Sequence, residues 1–179
     1  MTIAPEQASA RIALNDPIYA EVLGWLIDEA EILDRYQYEE WLALVTDDVT
    51  YRLPVRTSVY IADGDGVSDY CHLDENHETL WVRVRRIVDK LGWAEDPPSR
   101  TKRFVSNLRV SVIDEHEVEA LSYLWFTRSR GNQPTYETIA CERRDRLRRD
   151  QESGKFRLAS RDVIVDQTSL GVMNLSFFL

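Results

Sequence analysis

The sequence predicts an α+β fold in which helices cover one face of a strongly curved antiparallel sheet. Two observations carry this. The first half of the chain contains apolar stripes at helical spacing, and residues 104–166 contain four long alternating stretches separated by turn-forming clusters. Helices followed by a run of strands is the α+β order. Short reverse connections between consecutive strands make an antiparallel meander, and strands of this length twist and coil.

Residues 1–15 lack strong periodicity and are expected to form a loose arm, followed by one domain over residues 16–179. Asp16-Pro17 reads as a helix start, with Asp as N-cap and Pro at the first helical position. Val22, Leu26, Ala30 and Leu33 then recur at helical spacing over about five turns, with Glu21, Asp28, Glu29 and Glu31 off that stripe. A short second helix is expected over Glu39 to Val45, then a turn at Asp47-Asp48. Val49, Tyr51, Leu53 and Val55 alternate as a strand, and Pro54 makes that strand an edge or a bulged one. Ala62 to Tyr70, with two glycines and three aspartates, reads as an exposed loop. A helix after Asp74 places Leu80, Val84, Ile87, Val88 and Leu91 on one face, with Gly92 as its C-terminal cap.

The stretch Trp93 to Asn107 then joins this helical pattern to a long strand pattern and reads as a stiff extended connector, because Pro97-Pro98 fixes the backbone there. Phe104 to Val112, Val118 to Arg130, Thr135 to Arg148 and Phe156 to Asp166 are the four strands of the meander. The stretch Leu121-Ser122-Tyr123-Leu124-Trp125-Phe126 is apolar on both faces. One face covers the helices; the other is either buried by a sheet that curls closed or left as a subunit contact. In the basic run Arg143 to Arg149, Arg144, Arg146 and Arg148 share one face and Arg143 shares the other with Leu147. This run suits a solvated edge or an ion-paired interface. The final Phe177-Phe178-Leu179 is costly in water and is expected in the core.

The chain has 179 residues, 44% hydrophobic and 30% charged, so it is long enough for one well-filled core and is not a disordered composition. A net charge of −9 argues against a general nucleic-acid or anionic-membrane surface. Cys71 and Cys141 belong to no Cys-x-x-Cys pair, and no charged-then-apolar leader or membrane-length apolar run is visible, which makes a cytoplasmic protein the expectation. His72, Asp74 and His116 have the residue types of a facial iron(II) set, as do His72, Asp74 and His77, yet neither trio sits in the strand context such a site needs. No dinucleotide, phosphate-loop or nucleophile-elbow motif is present.

A wider set of residues carries a resemblance. It comprises Glu29-Ala30-Glu31-Ile32-Leu33-Asp34 with Trp41, Tyr51-Arg52-Leu53-Pro54-Val55-Arg56, and His72-Leu73-Asp74-Glu75-Asn76-His77-Glu78-Thr79. It continues through Gly92-Trp93-Ala94-Glu95-Asp96-Pro97-Pro98-Ser99-Arg100-Thr101, Ser106-Asn107, Glu142-Arg143-Arg144-Asp145 and the ending Asn174 to Leu179. Together these resemble the small (β) subunit of aromatic-ring-hydroxylating dioxygenases, the Rieske non-haem iron oxygenases, in their biphenyl, toluene and cumene branch. One departure is that Arg103 stands where the family usually carries His.

The resemblance implies a nuclear transport factor 2-like cone and an α3β3 hexamer. It implies a large (α) subunit carrying the Rieske [2Fe-2S] cluster and the mononuclear iron, with electrons from NADH delivered through a reductase and ferredoxin. The implied reaction adds dioxygen to an aromatic ring to give a cis-dihydrodiol. For this chain itself no catalytic, cofactor-binding or metal residue is expected. A Rieske centre and an iron triad together need four histidines, and the chain has three. The residues expected to meet partner subunits are Trp93, Glu95, Pro98, Arg100 and Arg128, with Trp81 and Arg144 beside them. Two rival readings remain at this point: a small isomerase or dehydratase using Asp34, Tyr36 or Tyr51 in the mouth of the cone, and a binding module for a small hydrophobic ligand. An open interior with convergent polar groups favours an enzyme; a filled one favours a scaffold.

Overall fold

The computed structural model describes residues 11–89 and 95–179, apart from the side chain of residue 61. Helix α1 (Pro17–Asp34) starts where expected, its first turn capped by the Asp16 carboxylate, which accepts from the Ile18 N–H at 2.8 Å. The chain leaves it through Tyr36, whose φ of 62° lies in the left-handed region, and the Gln37 N–H closes back onto Ile32 O at 3.0 Å. The short α2 (Tyr38–Ala43) buries Trp41 and runs into β1 (Val45–Arg56). A single 3-10 turn at Ile61–Asp63 precedes β2 (Val67–Asn76), and α3 (His77–Val88) follows directly. Asn76 and Thr79 close a reciprocal capping box at its start. The meander is β3 (Arg100–Val112), β4 (Glu117–Ser129), β5 (Glu137–Arg149) and β6 (Phe156–Val165).

All six strands form one sheet in the order β2-β1-β6-β5-β4-β3. The two edge strands do not meet, so the sheet curls without closing. The helices lie on one face, α1 against β3 and α3 against β1 and β2. The core fills the space between, with Val22, Leu26, Leu33, Trp41, Tyr51, Leu80, Leu124, Phe126, Leu158 and Val163 buried, and Phe177, Phe178 and Leu179 joining them. Asn107, with φ of 54°, sits in a bulge where the β3–β4 register slips.

Four expectations need correction. The sheet is mixed: β1 pairs antiparallel with β2 but parallel with β6, because the chain re-enters beside β1 only after the meander has turned it around. Asp47-Asp48 lies inside β1, since backbone pairing continues through an exposed polar segment. Residues 67–70, expected in a loop, belong to β2, whose edge position leaves Tyr70 82% exposed. The second helix stops at Ala43 because Val45 has already joined the sheet beside Leu158. Pro54 is at a bulge, with register slips on both sides of it. The expected α3 positions Leu91 and Gly92 lie outside the described residues, as do residues 1–10 of the arm. Residues 11 and 12 are held against β3, with the Ile12 N–H donating to Val110 O at 3.0 Å.

Candidate functional site

The interior of the cone is where a site would lie, and there the alternating strands carry charges at inward positions. Arg143, Asp145 and Arg161 are in phase with Leu147 and Val163, so all three face the core. Glu29 on α1 sits three residues after Leu26 and four before Leu33, which turns it inward as well. All four are essentially inaccessible to solvent.

They form one connected cluster. Arg161 donates from Nη1 and Nη2 to the two Glu29 oxygens at 2.8 and 2.9 Å, and from Nε and Nη2 to Asp145 at 2.7 and 2.8 Å. Arg143 Nη1 reaches Glu29 at 3.2 Å, its Nε reaches Ser122 at 3.4 Å, and its Nη2 finds no partner among the described residues. Trp41 Nε1 donates to Glu29 at 3.1 Å. Burial alone would raise the pKa of Glu29; the charges of Arg161 and Arg143 and the hydrogen bonds from Arg161 and Trp41 outweigh it and hold the carboxyl below its ordinary value. The basic run therefore divides: Arg144 is solvent-exposed, as expected of that face, whereas Arg143 is neither a solvated edge nor a surface pair.

The residues proposed for acid–base work do not converge on an open cavity. The Tyr51 hydroxyl donates to Leu179 O and accepts from the Leu179 N–H, each at 2.9 Å, and burial pushes its phenol up. Tyr36 is 40% exposed and donates to Ser99 O at 3.1 Å. Asp34 faces a groove of about 320 Å³ between α1 and β3. Both of its oxygens are engaged, accepting from the Arg103 guanidinium, from Thr101 Oγ1 at 3.0 Å and from the Arg103 N–H at 3.1 Å. Phe178 stacks on Trp41 with ring centres 4.2 Å apart, and Phe177 stacks on Phe126 at 4.5 Å, so the last residues fill the space that a substrate would need.

The residues expected to meet partners fall into two groups. Trp81 is 50% exposed on α3, and Pro98, Arg100 and Arg144 are at the surface. Arg128 differs from that expectation. It is 1% exposed and pairs with Glu95 and with Glu137, the latter at 3.2 Å, while its Nε donates to Ser99 at 3.0 Å. Glu95 and Arg128 thus both bond to Ser99, Glu95 accepting from its N–H at 3.1 Å. Trp93 lies outside the described residues. Phe104, Tyr123 and Trp125 are 57%, 47% and 50% exposed on the outer sheet face, where Tyr123, Trp125 and Arg144 border a groove of about 560 Å³.

The histidines do not fit an iron site. His72 and His77 lie at the β2 edge and His116 in the β3–β4 turn at the opposite edge. Among the described residues no group of three or more His, Cys, Asp or Glu is arranged to hold a metal ion, so no step of a Rieske or iron reaction is assigned to them. Among the described residues, too, no helix is long and apolar enough to cross a membrane.

Comparison with known proteins places this geometry. A family model described as the ring hydroxylating beta subunit matches residues 28–171. The chain is 33% identical over 157 residues to the benzene 1,2-dioxygenase subunit beta of Pseudomonas putida, covering 84% of this chain and 82% of that one. It is 31% identical to the biphenyl 2,3-dioxygenase subunit beta of Rhodococcus jostii, with the same coverage. It is 33% identical to the N,N-dimethyl phenylurea N-demethylase subunit beta of a Sphingobium, covering 87% and 88%. Among solved structures, naphthalene 1,2-dioxygenase superposes with a TM-score of 0.79 at 26% identity, covering 89% of this chain and 84% of that chain. A Novosphingobium aromaticivorans protein described as a scytalone dehydratase shares the fold alone, at 12% identity, a TM-score of 0.60 and 83% coverage of both chains. With its filled cone interior and a family match spanning most of its length, the chain belongs to the beta subunits of ring-hydroxylating dioxygenases.

Proposed function

We propose that this chain scaffolds the catalytic large subunits of its dioxygenase in an α3β3 hexamer. The holoenzyme, fed by NADH through a reductase and ferredoxin, converts an aromatic compound to a cis-dihydrodiol in the cytoplasm. The Rieske cluster and the mononuclear iron belong to the large subunit. The observation that carries the scaffold role is the plugged cone: Phe177, Phe178 and Leu179 occupy its interior, and Glu29, Asp145, Arg143 and Arg161 are spent on one another. A filled interior fixes shape and leaves contact with the large subunits to the outer surface. There, exposed Trp81, Pro98 and Arg100 offer aromatic, apolar and guanidinium groups of the kind enriched at permanent interfaces, and Arg144 adds a second exposed guanidinium. Trp93 joins them by its place in the connector sequence, with Arg128 and Glu95 setting that connector's path.

Co-expression with the large subunit tests this. The expected result is a complex of six chains in which iron and acid-labile sulfide co-purify, with neither in the free small chain. A Trp93→Ala/Arg100→Ala variant is expected to shift the complex toward free subunits on size exclusion; an undiminished hexamer rejects these contacts. Stoichiometric iron in the free chain, or turnover of an aromatic compound by it, rejects the scaffold role.

A further inference from the structure

We propose that the cone interior is a peptide-binding site, filled in cis by residues 174–179 and recognising that segment through its backbone carbonyls. The segment adopts no regular secondary structure, so its carbonyls have no ladder to satisfy them. Arginines from four separate elements collect them instead. Arg128 on β4 donates to Asn174 O at 3.3 Å. Arg83 on α3 donates to Leu175 O at 2.7 Å and to Phe177 O at 3.3 Å. Arg103 on β3 donates to Phe178 O from Nε at 3.2 Å and from Nη2 at 2.6 Å. Arg161 on β6 donates to Leu179 O at 2.9 Å, beside the Tyr51 hydroxyl. Every residue of the segment except Ser176 is held in this way.

The side chains supply the second half of the recognition. Phe178 enters a cage of Trp41, Tyr38 and Tyr51, with the Arg83 guanidinium 5.3 Å from its ring centre. Phe177 lies between Phe126 and the Arg128 guanidinium, the latter also 5.3 Å away. The ligand class is thus a short peptide with two adjacent aromatic residues followed by an aliphatic one.

The charges of the site are also balanced without its occupant. Each arginine has a carboxylate of its own: Glu75 for Arg83 at 3.3 Å, Asp34 for Arg103, Glu95 and Glu137 for Arg128, and Glu29 with Asp145 for Arg161. Withdrawing the segment strands no uncompensated guanidinium. The forks stay aimed, which is the preorganisation a binding site needs.

A protease site inserted between Gly171 and Val172 lets the segment be cut after the full chain has folded. The probe is a fluorescent peptide with the sequence of residues 172–179. The expected result is a nicked chain that stays folded by circular dichroism, exchanges its segment for the labelled peptide in a saturable manner, and reports seating through Trp41 fluorescence. A Phe178→Ala peptide is expected to compete more than about tenfold more weakly, and Arg103→Met in the nicked chain to weaken uptake. A folded nicked chain that takes up no peptide overturns the proposal. So does equal competition by the Phe178→Ala peptide, and so does unfolding on cleavage, which makes the segment an inseparable part of the core.

Discussion

Replacing Glu29 by Gln tests the buried cluster most sharply. The substitution keeps size and shape and removes one negative charge from a group with no solvent access. Arg161 retains Asp145, with two bonds at 2.7 and 2.8 Å, but Arg143 keeps only the Ser122 hydroxyl and loses its carboxylate. Breaking a buried ion pair by removing one partner costs about 3–5 kcal/mol, since the remaining charge stays buried. In a domain of this size that is a fall in Tm of roughly 6–20 °C. Urea unfolding followed by circular dichroism gives the free energy directly. The pH dependence is a second check. The folded carboxyl is held below its ordinary value of 4.5, so its contribution is complete above that pH and is lost as pH falls through the lower folded value. Acid unfolding of the wild-type chain is therefore expected to steepen below pH 4.5, and the Gln variant to lose that component. A paired Glu29→Leu/Arg143→Met variant should recover much of the loss, because both charges leave together. The reasoning fails if Glu29→Gln costs under about 1 kcal/mol, or if the paired variant costs the sum of its singles.

Other outcomes follow from the same contacts. Phe178→Ala empties the ring's place between Trp41, Tyr38 and Tyr51 and should destabilise the chain by about 3–5 kcal/mol in chemical denaturation. A cost near zero would mean that Phe178 is not seated there. Burial pushes the Cys141 thiol up to about 12, so thiol titration of the native chain near pH 8 should find Cys71 and miss Cys141 until denaturant is added. Two fast-reacting thiols in the native state would contradict that placement.

Much of the architecture was legible in the sequence because its signals are local. Asp16-Pro17 and the stripe from Val22 to Leu33 mark α1, and the cap and the stripe agree. The meander was legible because each strand alternates and each turn carries Gly, Pro or Asp. Strand β2 was not, because Val67, Cys71 and Leu73 are its few apolar residues and its start is shared with a glycine- and aspartate-rich loop. The parallel β1–β6 pairing was not, because alternation is the same whichever way a neighbour runs. The buried charges were half legible. Glu29, read as lying off the apolar stripe, turns inward between Leu26 and Leu33, while Arg128, Arg143, Asp145 and Arg161 fall at inward positions of their strands. Charge type argued for the surface and periodicity for the interior, and periodicity prevailed because each charge met an opposite one.

The buried arginines of the cone call for an account other than stability. Exchanging a buried ion pair for hydrophobic residues of similar volume is often neutral or stabilising. What a guanidinium fork adds is direction: its planar donors accept only certain placements of a carbonyl. On this view Arg103 and Asp34 specify where the final segment lies more than how tightly the domain holds together, and the two quantities separate experimentally. An Arg103→Met/Asp34→Leu variant removes both charges along with the two bonds to Phe178 O. Its global stability in urea is expected to fall by no more than about 1–3 kcal/mol, the cost of leaving the Phe178 O and the Arg103 N–H without these partners. Amide hydrogen exchange at residues 177–179 is expected to accelerate at least about tenfold as the segment loses its fixed register. Unchanged protection there, or a stability loss of several kcal/mol, would show that the pair contributes strength and not placement.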